Sequence, residues 1–438
     1  MWNFETEASY AEGLAWVDRF VTEEIEPIDH LIHDPYDLRD PVRAALLPPL
    51  QMIVKEKGLW GCHLGPELGG AGFGQLKLAL LNELLGRSRC APMAFGAQAP
   101  DSGNAEILAA YGSAELKAKY LAPLLDGAVF SCFSMTEPQA GADPLMLETT
   151  ATQDGDDWVI TGDKWFSTNA KHASFFIVMA KTDPDAAPHE RMTMFVVASD
   201  TPGITILRNV GLAGSTHAPT HAYVRYASVR VPASNMLGPR GQAFAVAQKR
   251  LGGGRIHHAM RTVGLARKAL DMMCERALSR ETAGELLGRK QLVQEMIAES
   301  WIDLEQFRLL VLQTAWRIDR EQDYQQVRGD IAAVKVAMPR VLNQIASRAL
   351  QIHGALGVST EMPFIEMIST AHVLGIADGP TEVHKVVVAR SVLSRCKPTV
   401  GLFPSGHLPT LRAAARERYA STLAAVQEAA TTADEVHA

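Results

Sequence analysis

The sequence predicts an α+β protein: a helical N-terminal domain, a middle antiparallel β-sandwich or barrel, and a C-terminal domain of four-helix-bundle type. Three observations predict it. Residues 1 to about 125 carry apolar residues at helical spacing. From 127 to 235 the chain turns to short β-rich runs bounded by Gly, Asp, Pro or Asn. Long helical patterns return from about 240 to 396. With 438 residues there is enough chain for two or three layers around large cores.

In the N-terminal stretch, Leu76 to Leu85 is apolar on most faces and suits a buried helix, and Ala105 to Leu125 keeps the helical period. Gly65 to Gly74 is a loop by its Gly and Pro content, and its glycines lack the spacing of a dinucleotide fingerprint. Strands are expected at Trp158–Gly162, Phe175–Ala180, Met192–Ala198, Ile204–Leu207 and Ala222–Tyr226, and their spacing favours antiparallel pairing. Leu265–Leu278, Lys290–Ile318 and Ile331–Ile352 are the strongest bundle helices. Beyond residue 400 a Pro, Ser and Gly-containing segment leads to an Ala-rich helix at Leu408–Ala430. The expected domains are 1–126, 127–238, 239–396 and a helical extension at 397–438.

Composition narrows the function classes. The net charge of −7 is mild and no Lys/Arg block suggests nucleic acid or an anionic membrane. No apolar run reaches spanning length, and the N-terminus lacks the pattern of a secretory signal. Five scattered cysteines without CxxC pairing fit a reduced, intracellular setting: the cytoplasm, or a mitochondrion or peroxisome in a eukaryote. No metal site is expected, because His257 and His258 are adjacent and point to different helix faces, and no HExxH occurs.

Four segments carry the chemistry: Phe133-Ser-Met-Thr-Glu-Pro-Gln-Ala-Gly-Ala142, Lys164-Trp-Phe-Ser-Thr-Asn169, Gly354-Ala-Leu-Gly357 and Asp378-Gly-Pro-Thr-Glu-Val-His384. In this order and spacing they resemble the acyl-CoA dehydrogenase family of flavoproteins, over roughly residues 10 to 395. The resemblance implies FAD as cofactor, an acyl-CoA substrate oxidised between Cα and Cβ, a place in fatty-acid and lipid metabolism, and electron-transfer flavoprotein as acceptor. Such chemistry needs a positioned base for the α-proton, donors for the thioester oxygen and exclusion of water. The flavin does the hydride chemistry.

By resemblance, Phe133, Met135, Thr136, Gly141 and Ala142 line the flavin, with Thr136 at the pyrimidine end. Phe166 packs on the ring, and Ser167 and Thr168 lie beside it, the Thr hydroxyl toward N5. Ala142 also stands where the family commonly places a Ser against the pantetheine arm. Arg280 and Gln291 would reach the pyrophosphate and adenine of FAD in a neighbouring subunit, Arg by bidentate bonds to phosphate. Gln351, Gly354 and Ala355 would also meet that FAD, as would Pro380, Thr381 and Glu382. The protein is then a homo-oligomer, a dimer or tetramer with shared FAD sites. The catalytic base would be Asp378, where most members carry Glu. Asp-Gly-Pro is also ordinary turn chemistry, but its distance of 24 residues from Gly354 equals the family's. The other slot some members use for the base is Gly254 in Leu251-Gly-Gly-Gly-Arg255, which has no side chain. Arg255, closing that Gly-rich turn, and Gly379 would bind substrate. Two alternatives stand beside this: a nitroalkane-oxidase-like flavoprotein, whose relatives also use an Asp base, and a non-catalytic partner subunit.

Overall fold

The computed structural model describes residues 5–215 and 217–436, in two compact units, Met1–Val388 and Ala389–Ala438. In the first unit, helices α1 (Ala8–Phe20), α2 (Pro41–Glu56), α3 (Gly74–Leu85) and α4 (Asp101–Tyr111) precede a seven-stranded sheet. Its strands are β1 (Phe130–Ser134), β2 (Thr150–Asp154), β3 (Asp157–Thr168), β4 (Ala173–Lys181), β5 (Met192–Ala198), β6 (Ile204–Val210) and β7 (His221–Pro232). Helices α5 (Ala243–Ser279), α6 (Gln291–Glu321), α7 (Arg328–His353) and α8 (Phe364–Ile376) follow, and α9 (Thr381–Leu393) begins after the Asp378 turn.

The two helical stretches share one core. Val17 and Leu81 pack in the same buried cluster as Met260, Leu304 and Leu342. Helix α3 is even capped from the C-terminal side: Asp319 of α6 accepts from the Gln75 and Leu76 amides at 2.6 and 2.8 Å, which satisfies donors that a helix start leaves open.

The sheet carries a further cluster on each face, while Phe130 of β1 reaches into the helical core. Strand β4 explains how: Phe175, Ile177 and Met179 join Ile107 and Leu108 of α4 on one side. Phe176, Val178 and Ala180 face Val224 and Tyr226 on the other. A strand buried on both faces reads as an unbroken apolar run, which is what Phe175–Ala180 is.

Three expectations are corrected. Ala105–Leu125 is not one helix: α4 ends at Tyr111, Gly112 is extended, and Ser113 restarts the chain by capping the Leu116 amide. The sheet is mixed, since β1 runs parallel to β4 while the β2–β3, β3–β7, β4–β5 and β6–β7 ladders are antiparallel. The long connection from β1 back to β4 makes parallel pairing possible, and strand spacing alone does not reveal it. Finally, Leu251–Arg255 is not a turn but the interior of α5. In the second unit the Ala-rich tail forms two helices, Leu408–Arg418 and Ala420–Val436, interrupted at Tyr419. No helix among the described residues is long and apolar enough to cross a membrane.

Candidate active site

The first two motifs meet because one buried ion pair joins them. Lys164 of β3 places its ammonium 2.7 Å from Glu137, and the two side chains are 0% and 1% exposed. The same ammonium donates to the Met135 carbonyl at 2.7 Å. Glu137 also accepts from the Glu148 and Thr149 amides at 2.6 and 3.0 Å. Burial brings the Lys164 ammonium down to about 8 against the pull of Glu137. Burial pushes the Glu137 carboxyl up, but Lys164 and the amide donors outweigh it and hold it below its ordinary value. Both groups therefore stay charged near neutrality. Trp165 adds a backbone bond to the Thr136 carbonyl at 3.0 Å, so the loop after β1 lies along the end of β3.

That end of β3 is bulged. Lys164 pairs with Val224 and Ser167 with Ala222, leaving Trp165 and Phe166 together opposite Tyr223. Phe166 takes φ 47°, unusual for a bulky residue. The bulge turns its ring outward, 47% exposed, where a regular strand would have alternated it inward. Its ring sits 5.8 Å from that of Tyr223. Thr168 bonds His221 at 2.9 Å. Among the described residues the Thr136 hydroxyl makes no hydrogen bond. Ser167 is different from expectation: it is fully buried and bonded to Ser134 at 2.9 Å, so its side chain serves the sheet and only its backbone is available to a ligand.

Asp378 lies in the turn between α8 and α9 in the left-handed region, φ 57°, followed by Gly379 at φ 101°. Its carbonyl accepts from Arg255 at 2.9 Å and faces His384 at 3.3 Å. A Cβ on Gly379 would come within 2.9 Å of the His384 ring. The turn is thus closed over by the pair that fixes its backbone, while no described residue hydrogen-bonds either carboxylate oxygen. The side chain is 19% exposed, 3.8 Å from His258. A Cβ on Gly254 would lie 3.3 Å from its oxygen. This is why α5 carries glycines here. Gly252 and Gly253 likewise give room to Tyr324, and Gly253 to Glu106.

Arg250 links the two halves. One turn before Gly254 on α5, it stacks over Phe133 at 4.0 Å and donates to Asn104 at 2.8 Å. Burial lowers its guanidinium and the nearby Asp378 and Glu106 oppose that. Glu106 has its carboxyl raised to about 7 by burial, relieved by Arg250 and Lys249. Lys335 of α7 is lowered to about 8 by burial, opposed by Asp378. Arg250, Glu106, Lys335, His258 and Tyr324 are site residues that motif reading missed. Only Arg250 and His258 had a usable signal, their positions one turn either side of Gly254.

The remaining expected residues fall in four places. Gly141 and Ala142 are exposed beyond the Glu137 loop. Thr381 bonds the Gly375 carbonyl at 3.1 Å, and Pro380 and Glu382 flank it at the start of α9. Arg280 and Gln291 are exposed at the facing ends of α5 and α6, around a hairpin whose Ala283-Gly284 turn is left-handed at both positions. Gln351, Gly354 and Ala355 are exposed at the end of α7. No hydrogen bond or ring contact joins these last five to Thr136 or Phe166 among the described residues.

Three segments match the acyl-CoA dehydrogenase domains: the N-terminal domain over 12–128, the middle domain over 132–227 and the C-terminal domain over 241–393. The chain belongs to the acyl-CoA dehydrogenase family, enzymes that use FAD. It is 42% identical over 358 residues to "Probable acyl-CoA dehydrogenase FadE2" of Mycobacterium tuberculosis, covering 81% of this chain and 87% of that one. It is 38% identical over 391 residues to "Acyl-CoA dehydrogenase family member 11" of Gallus gallus, covering 86% of this chain but 50% of that one. The chain therefore spans about half the length of that relative. Among solved structures, the glutaryl-coenzyme A dehydrogenase complex with glutaryl-CoA superposes with a TM-score of 0.76 at 28% identity, over 90% of this chain and 98% of that one. Butyryl-CoA dehydrogenase from Megasphaera elsdenii gives 0.76 at 26% identity, over 90% and 100%.

The residues present fit the cofactor. An outward aromatic ring on a bulge, a free threonine hydroxyl and a backbone edge pinned by Glu137–Lys164 suit the face and polar edge of a flavin.

Proposed function

We propose that this protein oxidises an acyl-CoA thioester between Cα and Cβ, with Asp378 as the base for the α-proton. The observation that carries the reading is the state of that carboxylate. Its backbone is fixed by Arg255 and its oxygens are unclaimed by any described hydrogen-bond donor. The backbone of α5 is bare in front of it at Gly254. A base needs this combination: a fixed position and a free lone pair.

Bound FAD supplies a two-electron acceptor for the hydride that leaves the β-carbon. The protein's own part is placement. Phe166 and the Met135–Thr136 edge orient the cofactor, and Lys164–Glu137 keeps that edge rigid. Arg250, Arg255 and Lys335 surround Asp378 with positive charge. The proton from Cα goes to Asp378, leaving a neutral acid there. Arg280, Gln291 and the Gln351–Ala355 turn contribute to the FAD of a neighbouring subunit, which makes the active form a dimer or tetramer. An electron-transfer flavoprotein would be the electron acceptor.

Asp378→Asn tests this. The purified variant retains yellow FAD absorbance, while anaerobic bleaching by a panel of acyl-CoAs is lost. If Glu106→Gln removes bleaching and Asp378→Asn keeps it, the base is Glu106. Hydrogen peroxide formed from a nitroalkane without CoA replaces the reading with an oxidase.

A further inference from the structure

The geometry points to His258 as a positioning residue that carries the α-proton from Asp378 to solvent, an inference that rests on the assignment of Asp378 as base. Helix α5 presents positions 254 and 258 on one face, one turn apart. Gly254 leaves the face open, and the His258 imidazole fills the next turn. Its Nε2 is 3.8 Å from the carboxylate oxygen that Gly254 leaves room for. The imidazole is 34% exposed, whereas the carboxylate is 19% exposed. His258 is thus the side of the pair nearer water. A gap of this size closes by a small ring rotation or by one bridging water.

The shorter base explains why such a partner matters here. An Asp lacks one methylene of the usual Glu, so its carboxyl stays close to the turn and to α5. Once it holds the α-proton, Asp378 is a neutral acid facing the carbon it came from. Unless the proton leaves, it returns there. His258 gives it another exit. The Asp378 O–H bond breaks, the proton joins Nε2, and the imidazolium releases its Nδ1 proton to water. Charge and atoms balance, with Asp378 again a carboxylate and His258 neutral in the other tautomer.

The surroundings favour a neutral resting imidazole, the form that accepts. The groups facing it are Asp378 from the turn, Arg250 and Arg261 from its own helix and Lys335 from α7. Burial and these three cations disfavour the imidazolium, while Asp378 favours it. The relay therefore holds charge only in passing.

The experiment uses the FAD-loaded protein and a 3-thiaacyl-CoA, whose β-sulfur has no hydride to give. Its acyl length is that which bleaches the wild-type flavin fastest. Loss of the α-proton signal in D2O is followed by NMR, with FAD absorbance and melting temperature as folding controls. In His258→Asn, exchange is expected to slow by at least about tenfold, because abstracted protons return to the same carbon, and added imidazole is expected to restore it. His258→Gln serves if the Asn variant fails to fold. Exchange at the wild-type rate overturns the relay. So does slow exchange that imidazole leaves unchanged, which would mean His258 only packs the turn. Asp378→Asn run alongside separates the two ideas: exchange persisting there removes the base itself, whatever His258 does.

Discussion

Removing the Lys164 ammonium should cost more stability than almost any other single change, and should loosen the cofactor edge first. The pair is 2.7 Å long with both side chains at most 1% exposed. Lys164→Met keeps the aliphatic volume but strands the Glu137 carboxylate. Three amide donors remain to it, from the Glu148 and Thr149 backbone and the Gln139 side chain, and no counter-charge does. Breaking a buried pair from one side costs about 3–5 kcal/mol. Glu137→Gln with Lys164→Met leaves no buried charge, so the double variant should recover part of that loss, a coupling of about 1–3 kcal/mol. Urea unfolding followed by circular dichroism gives the stability, and flavin fluorescence gives release of FAD. FAD release at lower urea than global unfolding is expected in Lys164→Met, because the freed Met135 carbonyl belongs to the edge proposed to hold the flavin. A loss below about 1 kcal/mol, or a double variant weaker than the sum of the two single changes, would refute the claim that one ion pair joins the two motifs.

Two further outcomes follow from the site geometry. Gly254→Ala should raise stability by roughly 0.5–1 kcal/mol as a helix-interior glycine is replaced. It should also slow flavin bleaching by about threefold or more, since the added methyl presses an oxygen 3.3 Å away and rates are steep in sub-ångström misplacement; unchanged bleaching would mean the carboxylate is not held there. Burial, with the neighbouring Arg255, holds the His384 imidazole down at about 4, below its ordinary 6.5. The unfolded chain thus binds a proton that the folded chain refuses, and His384 lowers stability as pH falls from 6.5 toward 4. Asp101 and Glu106, raised by burial to about 6 and 7, act in the opposite sense. The measurement is therefore the wild-type curve minus that of His384→Gln, expected to fall by up to about 1.4 kcal/mol per pH unit in this window. A flat difference would place that imidazole in solvent.

What the sequence determined by itself was local chemistry and order. Helical and strand periods located most elements: Lys290–Ile318 was expected where Gln291–Glu321 stands, and Ile331–Ile352 within Arg328–His353. The Asp-Gly-Pro motif marked a turn, because Asp and Gly tolerate left-handed backbone and Pro disfavours continuing a helix or strand. The order of four short segments identified the family.

Tertiary structure decided what stands opposite what. The bulge that turns Phe166 outward is a mismatch with β7, and the sequence of β3 alone holds no trace of it. Glu137 and Lys164 are separated along the chain by strands that do not reveal their contact. The three glycines at 252–254 looked like a turn, since glycine weakens a helix. They lie inside a helix, and a Cβ at Gly253 or Gly254 would press on Glu106 or Asp378 at 3.2 and 3.3 Å, partners distant in sequence. Local propensity is written in neighbouring residues, whereas a site is made by close approach of remote ones, and only the packed chain sets those distances.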